Sequence, residues 1–218
     1  MITKERIVEE SLKLFINYGV KSVTVERISK DLRMSKRTFY EHFENKKQLL
    51  KECLVVYDVI TRNEHEKITA ASTNTLEALF RWNDAIMTRM DLVNPNFFND
   101  IHYYYPGLLE DFYRKYGDFL YDTLLELCKN GIAEGLFNKG VHEEIFAKTM
   151  QSLVQLFKDT DTFPPMTYSK VALTFNILGP YIKGVCTEKG RDLIRNYEER
   201  IKVSYAGLGF TDLEGRTF

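Results

Sequence analysis

Apolar residues recur at helical spacing along the chain, and no sustained strand-like alternation interrupts them. From Lys4 to Tyr18, Ile7, Val8, Leu12 and Phe15 form one face around Ser11. Gly19 follows as a left-handed C-terminal cap. Thr24 reads as the N-cap of a short second helix, with Glu26 in its first turn and Ile28 and Leu32 at i and i+4. Ser35 caps a third helix, in which Phe39 and Phe43 face inward. Asn45 caps a fourth, with Gln48 three residues on as in a capping box. That helix carries Leu49, Leu50, Cys53, Leu54, Tyr57 and Ile60 and continues to Ala70, a rod of roughly 35–40 Å at the α-helical rise.

The same periodicity predicts helices near 75–91, 96–104, 108–130, 142–158, 169–187 and 190–204, with breaks at Asn94-Pro95, Pro106-Gly107, Gly135 to Gly140 and Thr160 to Pro165. Pro180 falls inside the 169–187 pattern and predicts a kink or a break there. Residues 205–218, with three glycines, read as an irregular tail. The expected fold is all-α: a three-helix helix-turn-helix head joined by a long helix to a helical body, with domains at 1–50 and 51–218.

Composition narrows the function. The chain has 218 residues, 44% hydrophobic and 28% charged, as in an ordinary soluble globular protein. Its net charge of −1 conceals an asymmetry. Residues 1–51 hold 12 Lys/Arg against 7 Asp/Glu, a net +5, and the remainder carries −6. A basic head on an acidic body suits a nucleic-acid-binding module joined to a sensing body. No apolar run approaches the ~18 residues of a membrane span, and the N-terminus lacks a signal-peptide core. Cys53, Cys128 and Cys186 stand far apart without zinc or redox spacing, which suits a reducing cytoplasm. His42, His65, His102 and His142 form no zinc or nucleophile motif, and there is no phosphate-cradling Gly-rich loop. The expectation is a cytoplasmic protein with no catalytic residues, no metal and no cofactor.

The informative segment runs from Thr24 to Lys46. Ile28, Leu32, Met34, Phe39 and Phe43 supply its internal core, leaving Lys36, Arg37, Thr38, Tyr40 and Glu41 outward on the third helix. A helix tipped with basic, hydroxyl and aromatic groups fits a major groove about 12 Å wide. Ser35 and the free N–H groups behind it can meet a phosphate. The segment resembles the DNA-binding domain of the tetracycline-repressor (TetR) family, matching its pattern at Thr24, Ile28, Ser35, Thr38, Tyr40, His42, Phe43 and Lys46. Upstream, Leu12, Phe15 and Gly19 fit the family's first helix. Two positions depart: Ser29 stands for the common Ala, nearly isosterically, and Arg33 for the common turn Gly, where a positive φ carries a cost.

The resemblance implies that Thr24, Tyr40 and Lys46 hold the DNA backbone while Lys36, Arg37 and Thr38 reach bases or adjacent phosphates. Ser35 and His42 complete the expected DNA-facing set. Each has a plainer alternative: Lys46 as a solvated first-turn lysine, Tyr40 packed on the first helix, His42 as a structural residue. Beyond residue 50 the resemblance is architectural, and it implies a ligand-binding and dimerising body.

Residues 75–125 are rich in aromatics, which suit either a core or a cavity for a flat or hydrophobic small molecule. Trp82, Met87, His102 and Tyr103 are the candidate pocket residues. Phe146, Met150, Leu153, Val154 and Phe157 form one late apolar stripe. Val171, Phe175, Leu178, Ile182 and Val185 form another. By resemblance the two helices pair with their copies in a homodimer, the geometry that reads a palindromic site on double-stranded DNA. The competing classes are an enzyme, a helical interaction module whose head no longer binds DNA, and a constitutive DNA-binding protein without a switch.

Overall fold

A computed structural model describes residues 2–156, 162–164 and 167–206, and the side chains of all of these except 90–91, 170–171 and 198–206. Among the described residues there is no β-strand, and one isolated antiparallel bridge pairs Phe137 with Cys186. Helix α1 (Lys4–Tyr18) starts where the Thr3 hydroxyl accepts from the Arg6 N–H. It buries the expected Ile7, Val8, Ser11, Leu12 and Phe15. Gly19, which ends it, has φ +79° and ψ 158°, so its φ is positive but its ψ is extended rather than left-handed helical. A Cβ here would stand 3.0 Å from the Asn96 Cβ and 3.0 Å from an Asp100 carboxylate oxygen, so glycine serves a close approach as well as a turn.

Helices α2 (Val25–Asp31) and α3 (Lys36–His42) are capped by Thr24 and Ser35, as their sequences predict. Between them the Met34 N–H donates to the Ser29 carbonyl at 2.9 Å and the Arg33 N–H to that of Lys30 at 3.1 Å. That pair of bonds is a Schellman closure, and Arg33 occupies its left-handed position with φ +51°. The turn is thus the one glycine would make, with an arginine bearing the strain. Helix α4 (Lys46–Ala70) begins where the Asn45 carboxamide accepts from the Gln48 N–H at 3.0 Å. Gln48 returns a bond to the Glu44 N–H at 2.7 Å, one residue earlier than in a standard capping box. Along α4, Leu49, Leu50, Cys53 and Leu54 are buried, whereas Ile60 lies outward, 54% exposed.

Helices α5 (Thr75–Leu92), α6 (Asn96–Tyr104) and α7 (Pro106–Ala133) follow. The expected break at Pro106-Gly107 is a single residue, Tyr105, and Pro106 opens α7, where its missing N–H costs nothing. Packing groups the chain into two compact units, one of residues 1–70 with 82–118, the other of 71–81 with the chain from 119 onward.

In the first unit, Ile7, Phe15, Ile28, Phe39, Phe43 and Leu50 share one core with Phe97 and Ile101 of α6 and Phe112 of α7. Backbone N–H groups also tie α1 to the segment before α6 and the α1–α2 loop to α6. The Asn94 N–H donates to the Ile16 carbonyl at 2.8 Å, and the Lys21 N–H to Asp100 at 2.6 Å.

The second unit contains α8 (Glu143–Leu156), α9 (Lys170–Leu173), α10 (Gly179–Val185) and α11 (Glu188–Ala206). Its core holds Leu76, Leu124, Phe137, Phe146, Met150 and Ile182. At Pro180 the helix does not simply break. Residues Thr174–Leu178 widen into a π-turn, in which the Gly179 N–H reaches back to the Thr174 carbonyl. Of the two late stripes, Phe146, Met150 and Ile182 are buried within this unit, and Leu153, Val154, Phe175, Leu178 and Val185 are half-buried. Phe157 and the Val171 side chain lie outside the described residues, as does the tail beyond Ala206. Among the described residues no helix is long and apolar enough to cross a membrane.

Candidate nucleic-acid interface

Helix α3 is held from behind. Phe39 and Phe43 are buried, with ring centroids 5.6 Å apart, and the Phe43 N–H closes the helix on the Phe39 carbonyl. With these two anchored, the helical period turns Lys36, Arg37, Tyr40 and Glu41 to solvent. The Ser35 hydroxyl accepts from the Thr38 N–H at 3.0 Å and lies 3.0 Å from the Thr38 hydroxyl, fixing the N-terminal turn. The Thr24 hydroxyl does the same for α2, accepting from the Arg27 N–H at 3.2 Å.

The cations of α3 are matched by exposed carboxylates. Lys36 donates to Glu26 of α2 at 3.3 Å, and Arg37 to Glu41 one turn on at 3.2 Å. Arg37 is 89% exposed. Pairs this open are worth little and are screened by salt, so both cations can be exchanged for phosphates or base edges.

Tyr40 is 56% exposed and sets its edge against Phe39, so it does not pack away on α1. His42 is half-buried, 6.4 Å from the Phe43 ring. Lys46 is not a solvated lysine. Its ammonium donates to the Val20 carbonyl and lies 5.8 Å from the Phe15 ring centroid, and burial lowers its pKa. Lys21, not singled out by the sequence, is exposed beside this point and lies 5.3 Å from the Tyr104 ring centroid. Its hydrogen bond to the Tyr104 hydroxyl raises its pKa, with that tyrosine's charge the next contribution.

The four pocket candidates differ in their burial. Trp82 is buried against His65, and Met87 is half-buried on the same helix. His102 and Tyr103 are exposed on α6, Tyr103 to 79%. His65, which the sequence offered only as one of four unassigned histidines, is the buried one. Among the described residues no cluster of three or more metal-binding side chains occurs.

Two capped helices on a Schellman turn, with the second presenting basic and aromatic side chains, define a DNA-binding helix-turn-helix. Residues 7–53 match the family of bacterial regulatory proteins, tetR family. The HTH-type transcriptional regulator YerO of Bacillus subtilis (strain 168) is 34% identical over 65 residues, 30% of this chain and 22% of that protein. The chain spans about a quarter of the length of the curated relatives it matches.

Likeness of fold extends further. A TetR-family transcriptional regulator from Marinobacter aquaeolei VT8 superposes with a TM-score of 0.67 at 19% identity, covering 92% of this chain and 98% of that one. A regulator from Saccharomonospora viridis, solved in complex with choline, superposes with a TM-score of 0.68 at 17% identity, covering 85% and 98%.

Proposed function

We propose that this chain is a sequence-specific transcriptional repressor that binds a palindromic operator as a homodimer and is released by a small-molecule effector. The observation that carries the reading is the outward face of α3. Lys36 and Arg37 stand there on a fully anchored helix, each held only by an exposed carboxylate. In this reading Lys36, Arg37 and Thr38 contact bases or adjacent phosphates. Thr24, Ser35, Tyr40, His42 and Lys46 border the DNA backbone. An ammonium has three donors, so Lys46 can keep its bond to Val20 and still offer two to a phosphate.

The DNA-binding domain is residues 1–50, and 51–218 senses and dimerises. The half-buried Leu153, Val154, Phe175 and Leu178 are dimer-interface residues, since such apolar positions gain from a partner. The choline complex of a protein of similar fold supports a small-molecule effector. Trp82, Met87, His102 and Tyr103 are carried as ligand candidates. The protein acts in the cytoplasm and catalyses no reaction.

The test is selection of duplexes from a random pool, alongside DNA taken from upstream of the gene. The expected result is saturable binding to an inverted repeat, with selectivity relaxed by Arg37→Ala and affinity lowered evenly across sequences by Lys46→Ala. Absence of any selected sequence would replace this reading with that of a helical interaction module.

A further inference from the structure

Inside the first compact unit, α4, α5 and α7 bring together polar groups that a helical core does not need. Arg89 of α5 is largely buried, its side chain 19% exposed. Its guanidinium donates to the Thr61 hydroxyl at 3.1 Å, meets the Tyr57 hydroxyl, and pairs with Glu64. The Tyr116 hydroxyl of α7 lies within reach of the charges of Arg89, Asp58 and Arg62, and burial pushes its pKa up to about 12. Against this polar cluster stands an aromatic wall. The Trp82 indole stacks on His65 with centroids 4.9 Å apart and planes at 12°, its N–H donating to the His65 carbonyl at 3.1 Å. Tyr116 lies edge-on to the same imidazole at 6.4 Å.

Two features go beyond packing. The first is an unused acceptor. Asp58 gives one carboxylate oxygen to Arg62 at 2.8 Å, while the other is buried without a hydrogen-bond partner. Such an atom carries the full cost of its desolvation unless something donates to it. The second is an asymmetry in the Arg89 pair. The guanidinium is fixed by Thr61 and Tyr57 whatever Glu64 does, and Glu64, 41% exposed, is the solvent-side half. An anion arriving from solvent competes for the cation by displacing an exposed carboxylate, and the cation itself need not move.

We infer that Arg89 anchors an effector site for a planar aromatic carboxylate that also bears a hydroxyl or amino donor. The ligand's carboxylate takes the place of Glu64 on the guanidinium, its ring lies along the Trp82–Tyr116 wall, and its donor satisfies the free oxygen of Asp58. This rests on the reading of the chain as an effector-responsive regulator, and it names the effector's class.

Trp82 is the chain's one tryptophan, so its emission reports the site directly. The probes are the ring isomers of hydroxybenzoate and aminobenzoate, with hydroxybenzyl alcohol as the uncharged control and choline as the cationic one. The expected result is a saturable change in Trp82 emission with at least one of the acids, weaker by roughly tenfold or more with the alcohol. Arg89→Lys, which keeps the charge but not the fork, should weaken acid binding by roughly tenfold. Glu64→Gln, which removes the competing anion, should tighten it about threefold or more. An unchanged denaturation midpoint for the Glu64→Gln variant guards against a folding artefact.

No saturation by any of the acids up to about 10 mM, equal affinity in the Arg89→Lys variant, or tighter binding of choline than of any acid would each overturn the inference. DNA binding is measured separately on the same preparations. Operator binding without acid binding sinks this site and leaves the regulator reading standing. Acid binding without operator binding does the reverse.

Discussion

Two sets of ion pairs in the first compact unit are built to opposite ends. On α3, Lys36 and Arg37 face solvent, and each holds one carboxylate that is itself more than half exposed. On α4 and α5, Arg62 and Arg89 are more buried than those cations and are tied to more than one partner. Arg62 holds Asp58 and also donates to the Lys115 carbonyl at 2.9 Å. Arg89 holds Glu64 and also donates to Thr61. Exposed pairs contribute little to folding and are readily broken by salt or a competing anion. Enclosed pairs with extra hydrogen bonds are costly to break from one side, because a desolvated charge is left behind. The head's cations are therefore available to a polyanion, while Arg62, whose partner Asp58 is itself largely buried, is part of the fold, and Arg89 stands between them with a solvent-side partner.

The largest expected effect concerns the buried imidazole beside the enclosed pairs. Desolvation lowers the His65 pKa to about 4, so the folded protein keeps it neutral where the unfolded chain takes up a proton near pH 6.5. Its contribution is complete above about pH 6.5, is lost as the pH falls toward 4, and is constant below, a change of about 3 kcal/mol. Urea midpoints at pH 7 and pH 4.5 should fall further apart for the wild-type protein than for His65→Leu. Equal pH slopes would mean that the imidazole is hydrated.

Next comes Arg62→Ala, which strips Asp58 of its one partner. It should cost about 2 kcal/mol in urea, less than the ~3–5 of a fully buried pair because both side chains keep some solvent. Arg37→Ala should change stability by less than about 0.5 kcal/mol in the same experiment. A loss as large as that of Arg62→Ala would erase the distinction between the two sets. A last small effect, comparable in size, is a gain. Arg33→Gly relieves a left-handed arginine at the cost of a freer unfolded chain, and should raise stability by about 0.5 kcal/mol.

The head was legible in the sequence because its signals are local. Thr24, Ser35 and Asn45 each cap within three residues, and the buried faces of α1 and α3 follow one helical period. The α2–α3 turn was legible in kind, though only the fold reveals that Arg33 takes up the strain of a missing glycine. Three features depend on residues far apart in sequence. Lys46 turns to a carbonyl 26 residues upstream, Lys36 finds its carboxylate on α2, and Arg89 reaches back to Thr61 and Glu64. No spacing rule registers such partners. His65 was equally hidden, since an isolated histidine among polar neighbours on α4 gives no sign that Trp82 will cover it.

The π-turn before Pro180 illustrates a different limit. The proline signalled a disturbance, but whether the helix kinks, ends or widens is decided by how the chain satisfies its backbone bonds on either side. The aromatic run from 75 to 125 could not be divided by periodicity alone into core and surface. Phe97 and Phe112 proved to be core, and Tyr103 and Tyr104 are exposed.

The contrast between exchangeable and structural cations is tested most directly by the salt dependence of DNA binding. Affinity for a selected operator should be measured across a salt series for the wild type, Arg37→Ala and Arg62→Ala. If α3 trades its carboxylates for phosphates, Arg37→Ala should flatten the slope of log affinity against log salt by about one per protomer, and Arg62→Ala should leave it unchanged. An unchanged slope for Arg37→Ala, or an equal flattening by Arg62→Ala, would contradict the account.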